Sequence, residues 1–160
     1  MSEASPYRLC DVTLDERTVV RRTREIEHER EIALYDLSEA NSFRPVGSQG
    51  GPYRLKIGVE GTRLTFDISL ADGSPHGKLI LSLTPFRRII KDYFIVGECY
   101  FKAIGGSQTP SQIEALDMGR RALHNEGAEL LRERLQGKIE IDMDTARRLF
   151  TLICVLHLKG

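Results

Sequence analysis

Three pairs of adjacent arginines, Arg87-Arg88, Arg120-Arg121 and Arg147-Arg148, are the residues whose type and spacing could do the most chemistry. Each pair falls early in a segment that reads as a helix. Adjacent helical residues point about 100° apart, so one arginine of each pair can face a neighbouring element while the other meets solvent. If one arginine from each pair converged, their rigid forks of N–H donors would form a cradle for a phosphate or a carboxylate. The plainer reading is a solvated or salt-bridged face, with Arg121 partnered by Asp117 four residues earlier. His28 and His124, flanked by Glu27, Glu29 and Glu126, are the candidates for acid–base chemistry in such a cradle, because imidazole changes charge near neutral pH. Surface or capping histidines are the alternative.

Other chemistries find less support. His28-Glu-Arg-Glu-Ile32 begins like H-E-x-x-H but carries isoleucine where the second zinc ligand must stand, so no metal is expected. Gly47-Ser-Gln-Gly-Gly-Pro52 lacks the G-K-[ST] ending and the strand-to-helix setting of a phosphate loop. There is no G-x-S-x-G. Cys10, Cys99 and Cys154 are odd in number, far apart and without a C-x-x-C pair, which reads as reduced and buried structural thiols. No cofactor is expected.

The dyads must be positioned by helices, and the longest apolar one starts at a junction. Leu79, Leu81 and Leu83 alternate with Ile80 and Ser82, the period of a strand with one face in a core; Thr84-Pro85 then supplies a cap and a proline at the first helical position. Phe86, Ile90, Tyr93, Gly97, Tyr100 and Ile104 follow at alternating spacings of four and three, predicting a helix buried on much of its circumference. Gly97 in that seam predicts close approach of a neighbouring element. Thr109-Pro110 repeats the start signal for a helix that Gly137 ends, with Gly119 and Gly127 as close-packing or kink points. Asp142 or Asp144 caps a last helix with little polar surface, either central or in a subunit interface.

Earlier in the chain, residues 8–14 alternate as a first strand. Thr18 to Arg22 is short, β-branched and basic, and Thr23 caps a helix to about Ala40 with a stripe of Ile26, Ala33, Leu37 and Ala40. Its charges, Glu27, Glu29, Arg30 and Glu31, read as an exposed face. Asn41 to Pro52 reads as a mobile loop. Gly61-Thr62 as a two-residue type II′ loop pairs Val59 with Leu64, Ile57 with Phe66 and Leu55 with Ile68, and sets Lys56 opposite Asp67. Slipping that register by one residue would move the apolar set into water. Ala71 to Gly77 is the next turn, and residues 138–142 suggest a short edge strand.

The chain has 160 residues and a formal net charge of zero, enough length for one domain, 1–160, and no basic excess to favour nucleic acid or a membrane surface. The N-terminus has no signal-peptide pattern and no apolar run reaches bilayer length, so a soluble cytoplasmic protein is expected.

Val12-Thr-Leu-Asp-Glu16, Ile26-Glu-His-Glu-Arg30 leading to Tyr35-Asp-Leu37, Gly50-Gly-Pro52, Leu83 to Tyr93, Asp117-Met-Gly-Arg-Arg121 and Arg147-Arg-Leu-Phe-Thr-Leu-Ile153 together resemble the bacterial uncharacterised protein family 0262 over nearly the whole chain. The resemblance implies a bacterial cytoplasmic protein. It brings no assigned activity, cofactor or catalytic residue, so the arginine cradle rests on the residues alone.

The expected fold is α+β: an antiparallel three-stranded meander, reaching four or five strands if the N-terminal segment and 138–142 join it, with about four helices packed mainly on one face. The expected function is a non-enzymatic binding or regulatory module, with a homo-oligomer in view, recognising an anionic small molecule or an acidic protein surface. The alternative is a small enzyme for a phosphorylated or carboxylated metabolite. Convergent arginines sharing one concave pocket with a histidine would favour the enzyme, and convergent arginines alone the binding module.

Overall fold

A computed structural model describes residues 5–16 and 24–157. The basic stretch at Thr18 to Arg22 and the expected cap at Thr23 lie outside the described residues. Among the described residues the architecture is α+β, with a four-stranded sheet, a separate two-stranded sheet and four α-helices.

The meander is present as expected. β3 (Tyr53–Glu60) and β4 (Arg63–Leu70) pair antiparallel in the expected register, with Val59 opposite Leu64, Ile57 opposite Phe66, Leu55 opposite Ile68 and Lys56 opposite Asp67. Gly61 has φ +61°, a left-handed conformation that suits glycine first in the loop. β5 (Pro75–Ser82) completes the meander. The turn before it is shorter than expected, ending at Ser74 rather than Gly77. Asp72 accepts from the backbone N–H and the hydroxyl of Ser74, closing the turn locally, and Pro75 is tolerated because β5 is an edge strand.

β1 (Leu9–Leu14) extends the sheet to four strands, in the order β1-β3-β4-β5, but runs parallel to β3. A parallel neighbour needs a long crossover, and α1 (Arg24–Glu39) lies within it. The Asn41 amide ties the two together, accepting from the Leu9 N–H at 2.6 Å and donating to the carbonyls of Leu9 at 2.9 Å and Leu37 at 2.8 Å.

The segment expected as a mobile loop contains β2 (Phe43–Pro45), which pairs antiparallel with β6 (Ile139–Ile141). Phe43 and Ile141 are buried opposite each other, and the strand expected over 138–142 is Ile139–Ile141 and belongs to this second sheet, not to the main one. Three residues are too few to show a period, which is why β2 is hidden in the sequence.

α2 (Arg87–Ile104) begins later than expected. A single 3-10 turn, Thr84–Phe86, precedes it, and Thr84 makes no capping hydrogen bond, although Pro85 holds its first-turn place. Ile89, Ile90, Tyr93, Gly97 and Ala103 are buried, whereas Ile95 and Ile104 are half exposed, so the C-terminal half of α2 runs out of the core. Close packing does not explain Gly97. Apart from its chain neighbours and its own helix backbone, nothing described lies within 4 Å of where a Cβ would stand.

α3 (Pro110–Leu135) starts with a capping box between Thr109 and Gln112. A Cβ on its Gly127 would fall 2.2 Å from Phe150 Cζ, so that glycine is a close-packing point as expected. α4 (Met143–His157) is capped by Asp142, whose carboxylate accepts from the Thr145 N–H at 2.8 Å. It packs against α1, α3 and β3. Leu149, Phe150, Leu152 and Ile153 are fully buried there, each contributing about 1.5–3 kcal/mol by transfer from water. The apolar faces of β3 and β4 meet this layer; Arg54, Lys56 and Asp67 on the other face are exposed.

Cys154 is buried within α4, as expected. Cys10 and Cys99 are exposed, because each lies on the outer side of its element. All three are free thiols.

Candidate functional site

Glu29 is the residue around which the concave surface is built. Among its charged neighbours it reads as part of an exposed face, yet it lies four residues before buried Ala33 and three after Ile26, in line with the apolar stripe of α1. Its side chain is only 20% exposed, and one carboxylate oxygen, Oε1, accepts from Arg120 Nη1 at 2.9 Å and from the Tyr93 hydroxyl at 3.3 Å. That spacing was the available signal. A long apolar helix carrying a buried tyrosine was a second, since a buried hydroxyl requires a partner.

A cleft of about 820 Å³ opens beside this contact, between α1, α2 from Tyr93 onward, the middle of α3 and the stretch of α4 from Asp144 to Thr151. Arg120, Arg121, Arg147 and Arg148 line it, with His28 and His124. Two of the three dyads thus meet, together with both histidines. The third does not reach the cleft: Arg87 and Arg88 are exposed at the start of α2, where Arg88 pairs with Asp92 at 3.3 Å and Glu126 at 2.8 Å. The Arg120-Arg121 pair also stands mid-helix rather than early, because α3 begins at Pro110.

Each converging arginine has an acidic or carbonyl partner, in keeping with the salt-bridged reading. Arg120 also approaches Asp117 at 3.5 Å, and its guanidinium carbon lies 4.7 Å from the Tyr100 ring centre and 5.7 Å from that of Phe101. Arg121 is exposed and paired with Asp117 at 2.7 Å. Arg147 pairs with Asp144 and donates from Nε to Asn125 Oδ1 at 2.7 Å. Arg148 lies 3.4 Å from Asp36 and donates to the Asp144 carbonyl at 3.1 Å. A guanidinium has five N–H donors, and on Arg121, Arg147 and Arg148 these partners engage one or two of its nitrogens. The remainder can serve a ligand. Among the described residues the lining holds five arginines against the carboxylates of Glu25, Glu29, Asp36 and Asp144, a local cationic excess in a chain of zero net charge.

Burial sets the protonation of the central groups. Desolvation raises the Glu29 carboxyl above its usual range, outweighing the attraction of Arg120. Desolvation likewise lowers the His124 imidazole, keeping it neutral, and raises the Tyr93 hydroxyl. His124 Nε2 lies 2.9 Å from the Arg147 carbonyl and 2.8 Å from Thr151 Oγ1. A carbonyl only accepts, so Nε2 carries the proton and Nδ1 the lone pair. The ring stacks on Tyr93 with centroids 5.7 Å apart. His28 is exposed on α1 at the cleft wall. Among the described residues, no group of three His, Cys, Asp or Glu side chains could hold a metal ion, and no helix is long and apolar enough to cross a membrane.

Comparison with known proteins extends over the same chain. Residues 6–159 match the Uncharacterised protein family (UPF0262). UPF0262 proteins of Rhizobium etli (strain CIAT 652) and Rhizobium meliloti (strain 1021) are each 59% identical, over 157 and 153 residues, which is 98% and 96% of this chain and 99% and 96% of those relatives. A UPF0262 protein of Brucella canis is 58% identical over 154 residues, 96% of this chain and 95% of the relative. No solved structure matches. With the match spanning β1 to α4 and relatives of the same length, the chain belongs to the bacterial Uncharacterised protein family UPF0262.

Proposed function

We propose that this protein is a single-domain cytoplasmic binding or regulatory module that takes an anionic small molecule in the cleft between α1 and the α3–α4 pair. The observation that carries the reading is the meeting of Arg120-Arg121 and Arg147-Arg148 on one concave wall. A guanidinium fork in a partly desolvated cleft suits phosphate or carboxylate oxygens. Concavity favours a small molecule over an acidic protein surface, which would need the arginines on an open face.

Thermal unfolding against a panel of phosphates, nucleotides and carboxylates tests it. A ligand at a hundred times its Kd stabilises by about 2.7 kcal/mol, worth several degrees at this size. The shift should vanish in Arg147→Ala and shrink in Arg121→Ala, and persist in Arg87→Ala, whose side chain is outside the cleft. No shift with any ligand, or an equal shift in Arg147→Ala, would overturn the reading.

One observation favours a second reading, a small enzyme acting on a phosphorylated or carboxylated metabolite. The cleft also holds a carboxyl raised towards neutrality by burial and a neutral imidazole, groups whose environments suit proton transfer. Histidines sharing the cleft with the arginines are the arrangement that favours the enzyme, but His124 is tied by Nε2 to the α4 backbone as a strut of the wall and His28 is exposed, so the binding reading stands first. Turnover of a stabilising ligand that is lost in Glu29→Gln would reverse that order.

A further inference from the structure

We infer that the ligand of this cleft is an amphiphile, an alkyl chain carrying one anionic group, and that the chain lies in the adjoining cavity over Gly97. This rests on the reading of the cleft as an anion site and adds the class of ligand. The adjoining cavity has a volume of about 420 Å³ and shares Glu25, Glu29, Tyr93 and Phe101 with the cleft. The two spaces therefore meet at the Glu29–Arg120 pair.

Their linings differ in a way that orients a ligand. Among the described residues, arginines line the larger space and none lines the smaller, whose charged groups are Glu25, Glu29, Glu98 and Lys102. Glu98 and Lys102 neutralise each other at 2.9 Å. An anion is repelled from the smaller cavity and attracted by the larger. Ile26, Phe94 and Phe101 make the smaller one a wall for hydrocarbon. The Arg120 guanidinium over Tyr100 and Phe101 stands at the boundary between the two.

Gly97 gives the second, independent observation. Glycine inside a helix is disfavoured, and here neither a close neighbour nor a left-handed φ calls for it. The missing side chain leaves space, and that space is part of the smaller cavity. A larger residue would fit the fold and fill the room for a chain.

Calorimetric titration with acetate, hexanoate, octanoate and decanoate, and with inorganic, hexyl and octyl phosphate, tests the inference and separates the two head groups. Affinity should rise about fourfold per methylene, the factor expected for burying each CH₂. Gly97→Leu, checked for folding by circular dichroism, should flatten that rise and leave the shortest members unchanged; Gly97→Ala should flatten it less. Arg147→Ala should weaken every member by a similar factor. Binding of acetate or inorganic phosphate with no rise along the series, or a rise untouched by Gly97→Leu, overturns the amphiphile and leaves the anion site standing. A rise abolished by Gly97→Leu but unaffected by Arg147→Ala overturns the anion reading instead. No binding by any member overturns both.

Discussion

Arg120 Nη1 lies 2.9 Å from Glu29 Oε1, joining the middle of α3 to α1 across 91 residues of sequence. Both side chains are less than a quarter exposed, so the pair is shielded enough for the loss of one partner to be felt. Arg120→Met should destabilise by about 2 kcal/mol at pH 7.5, because a carboxylate is left without its cation. The cost should be smaller at pH 5, where Glu29, already raised, can take up a proton. Adding Glu29→Gln to Arg120→Met should recover part of the loss. Urea unfolding of the two single variants and the double variant at both pH values measures this; additive losses would show that the pair is not coupled.

The buried imidazole of His124 predicts a pH dependence of definite sign. Its folded value lies below the ordinary 6.5, chiefly through desolvation, which together with the charges of Arg147, Arg120 and Arg148 outweighs the opposing hydrogen bond to the Arg147 carbonyl. Between that folded value and 6.5 the unfolded chain binds more protons than the native protein, so stability rises with pH there. The contribution is complete above 6.5 and is lost as pH falls through the folded value. Glu29 works oppositely, its stabilising share being lost as pH rises above 4.5 towards the raised folded value. Unfolding midpoints measured from pH 5 to 7.5 should therefore climb less steeply in His124→Gln than in the native sequence. Parallel curves would contradict the assignment.

Two helices carry the same Thr-Pro start signal, and only one uses it. Thr109 Oγ1 accepts from the Gln112 N–H at 3.2 Å while Gln112 Oε1 accepts from the Thr109 N–H at 3.0 Å. Three residues after Thr84 stands Arg87, which has no acceptor to return the bond, and the chain makes a 3-10 turn instead. Thr109→Ala should cost about 1 kcal/mol by denaturant unfolding, and Thr84→Ala no more than about 0.5 kcal/mol.

That contrast marks how far the sequence could be read. The β3–β4 register was legible because eight paired residues leave one arrangement that buries every apolar side chain. β2 was not, since its pairing with β6 spans about a hundred residues and its three positions carry no period. The parallel sense of β1 was equally hidden, because alternation along a strand is the same whichever way its neighbour runs.

The candidate site was legible in part for a similar reason. Helix identity placed the dyads on α2, α3 and α4, but which of them meet depends on packing angles that no local pattern encodes. Glu29 shows the other failure. Among Glu27, Glu29, Arg30 and Glu31 it looks like one more solvated charge, and only its place in the stripe with Ala33 and Leu37 distinguishes it.

Gly127 and Gly97 both interrupt long helices, and the structure gives them opposite consequences. A Cβ at Gly127 would stand 2.2 Å from Cζ of fully buried Phe150, a ring fixed between Tyr93 and His124 at centroid distances of 6.2 Å and 6.0 Å. The ring cannot withdraw without disturbing both. Gly127→Ala should therefore destabilise by about 1–3 kcal/mol despite its better helix propensity. At Gly97 the Cβ meets open space, so propensity decides, and Gly97→Ala should stabilise by up to about 1 kcal/mol. Urea midpoints of the two variants, compared with the native chain at equal m-value, check both signs at once. A stabilised Gly127→Ala would mean that α3 and α4 lie farther apart than described, and a destabilised Gly97→Ala that the cavity beside α2 is filled in solution.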